Sequence, residues 1–192
     1  PDSERTMCAF LGVAGKITPD DIDVNFVKQS ELVFLEGYLW DEGEPKAAFE
    51  KALTLAKKSA MSLSDKFCVD RHKANFYDLV KNKLDIIFAN EQEIMELISA
   101  KTFDEVIKFG KDLNKILVIT RSDKGSVGIT GSEVAECESQ KNLKIVDLTG
   151  AGDLFAAGFL HGYINKKSTK ESLQKGTEMA SKVIQKIGAR LN

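Results

Sequence analysis

Val146-Asp147-Leu148-Thr149-Gly150-Ala151-Gly152-Asp153-Leu154-Phe155-Ala156-Ala157-Gly158-Phe159 is the stretch that decides how this chain is read. A loop of small residues, Gly150, Ala151 and Gly152, runs straight into a nearly all-apolar segment that predicts a buried helix. Small residues let the backbone approach a ligand closely. The first N–H groups of a helix have no partner within it and point outward with the positive end of the dipole. Such a turn favours negative charge. Asp153, in the first turn, serves either as a cap or as a base aimed at the same spot. Taken alone, Gly-x-Gly-Asp is only a flexible loop with a capping aspartate, so the surroundings must decide.

Outward from this stretch, short apolar runs alternate with amphipathic helices. Leu32-Val33-Phe34-Leu35, Asp85-Ile86-Ile87-Phe88-Ala89 and Ile116-Leu117-Val118-Ile119 read as strands, with a weaker one at Met61-Ser62-Leu63. Strands apolar on both faces belong to parallel sheets covered by helices. A turn is expected at Asp41-Glu42-Gly43, followed by a helix over about 45–60 with Pro45 near its first position. A loop over 64–68 precedes a helix over 75–81, and a further helix covers 91–98. Thr102 caps a helix running to Phe109, with Glu105 completing a capping box. Residues 125–136 alternate around Gly131-Ser132 as a hairpin, and 172–187 form a last amphipathic helix. The pattern is an α/β sandwich, in which ligands sit at the carboxyl ends of the strands.

Composition sets the bounds. With 192 residues, 43% of them apolar and 29% charged, the chain suits one soluble globular domain. The balance of 27 basic and 29 acidic residues, 27 − 29 = −2, gives no basic excess to suggest nucleic acid. No apolar run is long enough to cross a bilayer, and no signal peptide opens the chain. Cys8, Cys68 and Cys137 are scattered and lack CxxC spacing, which fits reduced thiols and a cytoplasmic location. His161 reads as a packing residue and His72 as a capping or surface group, and neither has metal-ligand spacing. No Gly-x-Gly-x-x-Gly opens an early βαβ unit, so a dinucleotide-dependent dehydrogenase is not indicated.

The string from Asp147 to Phe159 closely resembles the signature of PfkB/ribokinase-type carbohydrate and nucleoside kinases, Asp-Thr-x-Gly-Ala-Gly-Asp followed by Phe and small residues. It departs at Leu148, where that family more often carries a hydroxyl residue. Glu4-Arg5-Thr6-Met7, 34–41, 63–72 and Ile187-Gly188-Ala189-Arg190 are similar to the bacterial adenosine-kinase-like branch, so the resemblance runs from end to end. It implies a ribokinase-like three-layer sandwich, mostly parallel, with helices on both faces. It also implies ATP and Mg²⁺, and transfer of phosphate to a primary hydroxyl of a nucleoside or sugar.

The resemblance assigns roles residue by residue. Asp153 becomes the base, and Gly150, Ala151 and Gly152 the anion hole. Asn90-Glu91-Gln92-Glu93 resembles the family's Asn-x-x-Glu motif, in which Asn90 and Glu93 order water around Mg²⁺; alone it is a helix start with an acidic first turn. Thr120, Ser122 and Gly125 fall in the nucleotide loop, with Ser122 where the family usually has Gly; alone this is a strand-to-hairpin turn. Arg5 stands at the lid end, where a guanidinium meets the transferring phosphoryl group, or is a solvated arginine on an edge strand. Asp147 and Thr149, with Gly188 and Ala189 nearby, match the border of a monovalent-cation site, which implies K⁺.

The family's early substrate-binding Asp and Gly-Gly-x-x-x-Asn motif are not found, so the chain is expected to be an incomplete kinase domain over 1–192 without the N-terminal lid and substrate segment. Adenosine is the expected acceptor, with ribose, fructose or another nucleoside open. A monomer and a homodimer are both open, and a non-catalytic nucleotide-binding protein of the same fold is the rival. Retention of Asp153 and its whole loop argues against that rival, since a pure binder has no use for the base.

Overall fold

The computed structural model describes residues 8, 10–40 and 45–191. It divides into two compact units, Ala9–Val118 and a second made of Pro1–Cys8 with Ile119–Asn192. Arg5 and the expected turn at 41–43 lie outside the described residues.

In the first unit, β1 (Val33–Glu36), β2 (Ser59–Ser62) and β3 (Ile86–Asn90) pair in parallel, with Leu35 opposite Met61 and Met61 opposite Ile87. Ala60, Met61, Ile86 and Ile87 are fully buried, as expected of parallel strands covered on both faces. The helices are α1 (Val24–Gln29), α2 (Pro45–Leu55), α3 (Lys66–Asp78), α4 (Glu91–Ile98) and α5 (Phe103–Leu113). Asn90 starts α4 with a reciprocal capping box to Glu93, which is why its limits match the sequence expectation. Thr102 caps α5, but the Glu105 carboxylate reaches back to the Lys101 N–H at 2.7 Å, so the expected box is displaced by one residue.

Several boundaries differ from expectation, among them the end of α5, which runs past Phe109 to Leu113. The helix expected to reach residue 60 ends at Leu55, and Ser59 and Ala60 open β2. The loop expected over 64–68 is the start of α3, because the Asp65 carboxylate accepts from the Cys68 N–H at 2.7 Å and begins the helix nine residues early. His72, read as a capping or surface group, lies inside α3 at a kink (φ −115°, ψ 19°), its ring facing Trp40 and Phe76.

Strand β4 (Ile116–Thr120) carries the chain from the first unit into the second, where β5 (Ser126–Thr130) and β6 (Glu133–Cys137) form the expected antiparallel hairpin. Within the first unit the strands stand in the order β1-β2-β3-β4, and within the second β5 lies beside β6. Helix α6 (Ala151–Ile164) follows the glycine loop, and α7 (Thr169–Val183) starts at the Ser168 capping box, three residues before expectation. Helix α7 touches both strands of the hairpin and lies along α6. No described helix is long and apolar enough to cross a membrane.

Candidate active site

The loop before α6 turns on Gly150, whose left-handed backbone (φ 78°) puts it in a region that other residues enter at a cost of roughly 1 kcal/mol or more. Ala151 begins the helix, and its N–H donates to the Leu148 carbonyl at 3.2 Å. The N–H groups of Gly150, Gly152 and Asp153 have no acceptor among the described residues. Two of the three lie in the first turn of α6, where the dipole adds to their positive field. Of the N–H groups expected to form an anion hole, that of Ala151 is thus committed within the loop.

Asp153 is exposed, and its carboxylate has no hydrogen bond or ion pair among the described residues. It therefore does not cap α6, since Gly150 holds the N-cap position with no side-chain bond. Gly152 is helical, and a β-carbon there would meet no atom within 4 Å. Gly150 is required by its backbone and by Ala189; at Gly152 a side chain would fill only the open space outside the loop.

Asp147 ties this loop down. Its Oδ1 accepts from the Thr149 N–H at 2.9 Å and its Oδ2 from the Gly188 N–H, also at 2.9 Å. The Ile184 carbonyl accepts from the N–H groups of Val146 (2.8 Å) and Asp147 (3.2 Å). A β-carbon on Gly150 would come within 2.7 Å of the Ala189 β-carbon, so the loop rests on the segment after α7.

Thr120 ends β4, and Ser122 lies in the tight turn that follows, with Gly125 closing it. The Arg121 N–H donates to Gly125 O at 2.8 Å, and the Ser139 hydroxyl to Asp123 O at 2.6 Å. Ser122 has a left-handed backbone (φ 54°), which explains why glycine suits its position. Gly125 (φ 89°) has no room for a side chain, because a β-carbon would lie 2.1 Å from Cys137 O.

Asn90 and Glu93 lie in the first unit, at the carboxyl end of β3. Glu93 is buried, and its carboxylate accepts from the Asn90 N–H at 2.8 Å and the Asn90 side-chain amide at 2.6 Å. Burial pushes its pKa up to about 7, with the carboxylates of Asp65 and Glu36 adding to the effect and the Asn90 bonds opposing it.

Sequence reasoning missed the neighbours of Glu93. Glu36 ends β1 and accepts from the Ser64 hydroxyl, while the Tyr38 hydroxyl donates to Asp65 at 2.7 Å. Burial first, then the Asp65 bond, raises the Tyr38 phenol above its ordinary range. Ser64 has a left-handed backbone (φ 75°), and its hydroxyl lies 2.7 Å from where a Gly37 β-carbon would be. The signal was present in their places just past the ends of β1 and β2, where α/β sheets bind ligands. Among the described residues no three His, Cys, Asp or Glu side chains converge as a metal site.

The sequence profile of the pfkB family carbohydrate kinases matches residues 1–192. An uncharacterized sugar kinase of Archaeoglobus fulgidus is 29% identical over 97% of this chain and 74% of its own length. The adenosine kinase of Sinorhizobium meliloti superposes with a TM-score of 0.89 at 37% identity, over 92% of this chain and 56% of that structure. A probable sugar kinase of Rhizobium etli does so with a TM-score of 0.88 at 37% identity, over 92% of this chain and 55% of that structure. The chain thus spans little more than half the length of these two solved structures.

Proposed function

This chain belongs to the pfkB family of carbohydrate kinases, and on that premise we propose that it carries the phosphoryl-transfer machinery of an ATP-dependent kinase acting on a primary hydroxyl. The observation that carries the reading is the exposed carboxylate of Asp153 beside the N–H groups of Gly152 and Gly150, none of which has a partner among the described residues. A base and an anion hole in one turn are what an in-line transfer to an alcohol requires.

Asp153 accepts the proton of the acceptor hydroxyl as its oxygen attacks the γ-phosphorus, while the bond from that phosphorus to the β–γ bridging oxygen breaks and ADP leaves with the electron pair. The N–H groups of Gly150, Gly152 and Asp153 take the charge that gathers on the transferring group, aided by the α6 dipole. The space beyond Gly152 supports close approach of phosphate oxygens. Thr120, Ser122 and Gly125 shape the nucleotide site.

Asn90 and Glu93 supply oxygen donors, and both Glu93 oxygens already accept from Asn90, which fits water-mediated contact with Mg²⁺ better than direct ligation. Mg²⁺, when bound, neutralises charge on the phosphates. Asp147 and Thr149 would border K⁺ through backbone oxygens, since the Asp147 carboxylate is committed to two N–H groups.

Adenosine is our first choice of acceptor. The solved structures at 37% identity are an adenosine kinase and a probable sugar kinase, so ribose and fructose are the alternatives. The test is ADP release by the complete protein against a panel of nucleosides and sugars. Turnover with adenosine well above that with any sugar is expected. Turnover confined to a sugar reassigns the acceptor, and none with any hydroxyl overturns the kinase reading.

A further inference from the structure

We propose that Asp147 is a positioning residue that fixes the anion hole by clasping both the loop before α6 and the segment after α7, an inference that rests on the kinase reading above. An anion hole works only if its N–H groups are already aimed when charge develops. The loop that carries them turns on Gly150, and a glycine in left-handed conformation supplies little stiffness of its own. Something outside the loop has to hold it.

Asp147 is placed to do so. One carboxylate accepts two backbone N–H groups 39 residues apart, those of Thr149 and Gly188, both at 2.9 Å. The Thr149 bond closes the turn just before Gly150. The Gly188 bond draws in the segment whose next residue, Ala189, supports Gly150 from below. The Ile184 carbonyl anchors the backbone of Val146 and Asp147 to the end of α7. Among these contacts the Asp147 carboxylate is the one side-chain group that bonds both segments. It also suits the task chemically, because two acceptor oxygens match two donors and a charged acceptor makes the stronger bonds. Asparagine offers one oxygen and would turn an NH₂ toward the other donor.

The test uses the complete protein with wild type, Asp147→Asn, Asp147→Ala and Ala189→Gly. Steady-state kinetics are combined with amide exchange over 146–153 and 184–191. Asp147→Ala is expected to lower kcat by on the order of 10²-fold while the ATP KM moves by less than about threefold, because misplacing the donors by about 1 Å costs that much. Asp147→Asn should lie between alanine and wild type. The Thr149 and Gly188 amides should exchange faster in both variants, and Ala189→Gly should lower kcat more mildly. A kcat for Asp147→Ala within about twofold of wild type, or unchanged exchange at both amides, overturns the clasp. Full recovery of kcat at high potassium also overturns it, by assigning Asp147 to cation binding. If the Asp147 variants do not fold, Ala189→Gly decides, and normal kcat in that variant counts against the clasp. A wild type inactive on every acceptor refutes the kinase reading instead, and the exchange data still judge the clasp.

Discussion

Gly158 of α6 and Gly176 of α7 meet backbone to backbone: a β-carbon on Gly158 would fall 2.8 Å from the Gly176 α-carbon and 2.6 Å from the Lys175 carbonyl oxygen. This contact, with Gly162 against Ser172 one turn further on, sets the depth at which α6 lies on α7. It therefore sets where Asp153 stands at the start of α6.

Gly158→Leu has no flexible neighbour to displace, since both close atoms are backbone. The variant is expected to lose stability at or beyond the upper end of the ~1–3 kcal/mol typical of overpacking. Urea denaturation measures this, and an unchanged midpoint would show that the two helices separate freely.

Glu93 predicts a pH-dependent stability. Its folded pKa, about 7, lies above the ordinary 4.5, so between these values the folded state holds a proton that the unfolded state has released. Stability from this group is therefore lost as pH rises from about 4.5 to about 7 and is level above that. Glu93→Gln removes the slope. The difference between variant and wild type should shift in favour of the variant by up to ~3 kcal/mol between pH 5 and pH 8. Chemical denaturation at several pH values, without nucleotide or Mg²⁺, checks it. Parallel profiles for the two proteins would contradict it.

Much of this architecture was legible because single segments carried it. The all-apolar runs in β3 and β4 could only be buried strands, and Asn90 with Glu93 marked the start of α4. Where the sequence misled, local signals conflicted. Ala52, Leu55 and Ala56 continue a helical spacing toward Ser59-Ala60-Met61-Ser62, whose small residues carry little strand preference, so α2 read too long. Helix α3 hid its start because Phe67, in its first turn, is exposed and breaks the amphipathic pattern. Glu36, Ser64 and Asp65 come together only through pairing of β1 with β2. The Asp147–Gly188 bond joins residues 41 apart, and no spacing rule reaches that far.

Gly152→Val separates fold from function. With nothing within 4 Å of the new β-carbon, the fold should accept valine and the melting temperature should move little. Phosphate approach to the Gly152 N–H should suffer, with a loss in kcat of roughly 10²–10³-fold, the scale of one missing anion-hole donor. Thermal melting with steady-state kinetics on the complete protein checks both halves. Normal kinetics would mean that phosphate does not use this space.

Asp153 is the most direct test. Asp153→Asn keeps size and polarity and breaks no contact among the described residues, so folding and ATP affinity should be preserved. Only the ability to accept the acceptor's proton is removed. The decisive measurement is kcat and ATP KM of the complete protein with Asp153→Asn, at saturating acceptor. The expected result is a fall in kcat of about 10²–10⁴-fold with ATP KM nearly unchanged. A kcat close to wild type would contradict the account, leaving Asp153 an exposed carboxylate at a helix start and nothing more.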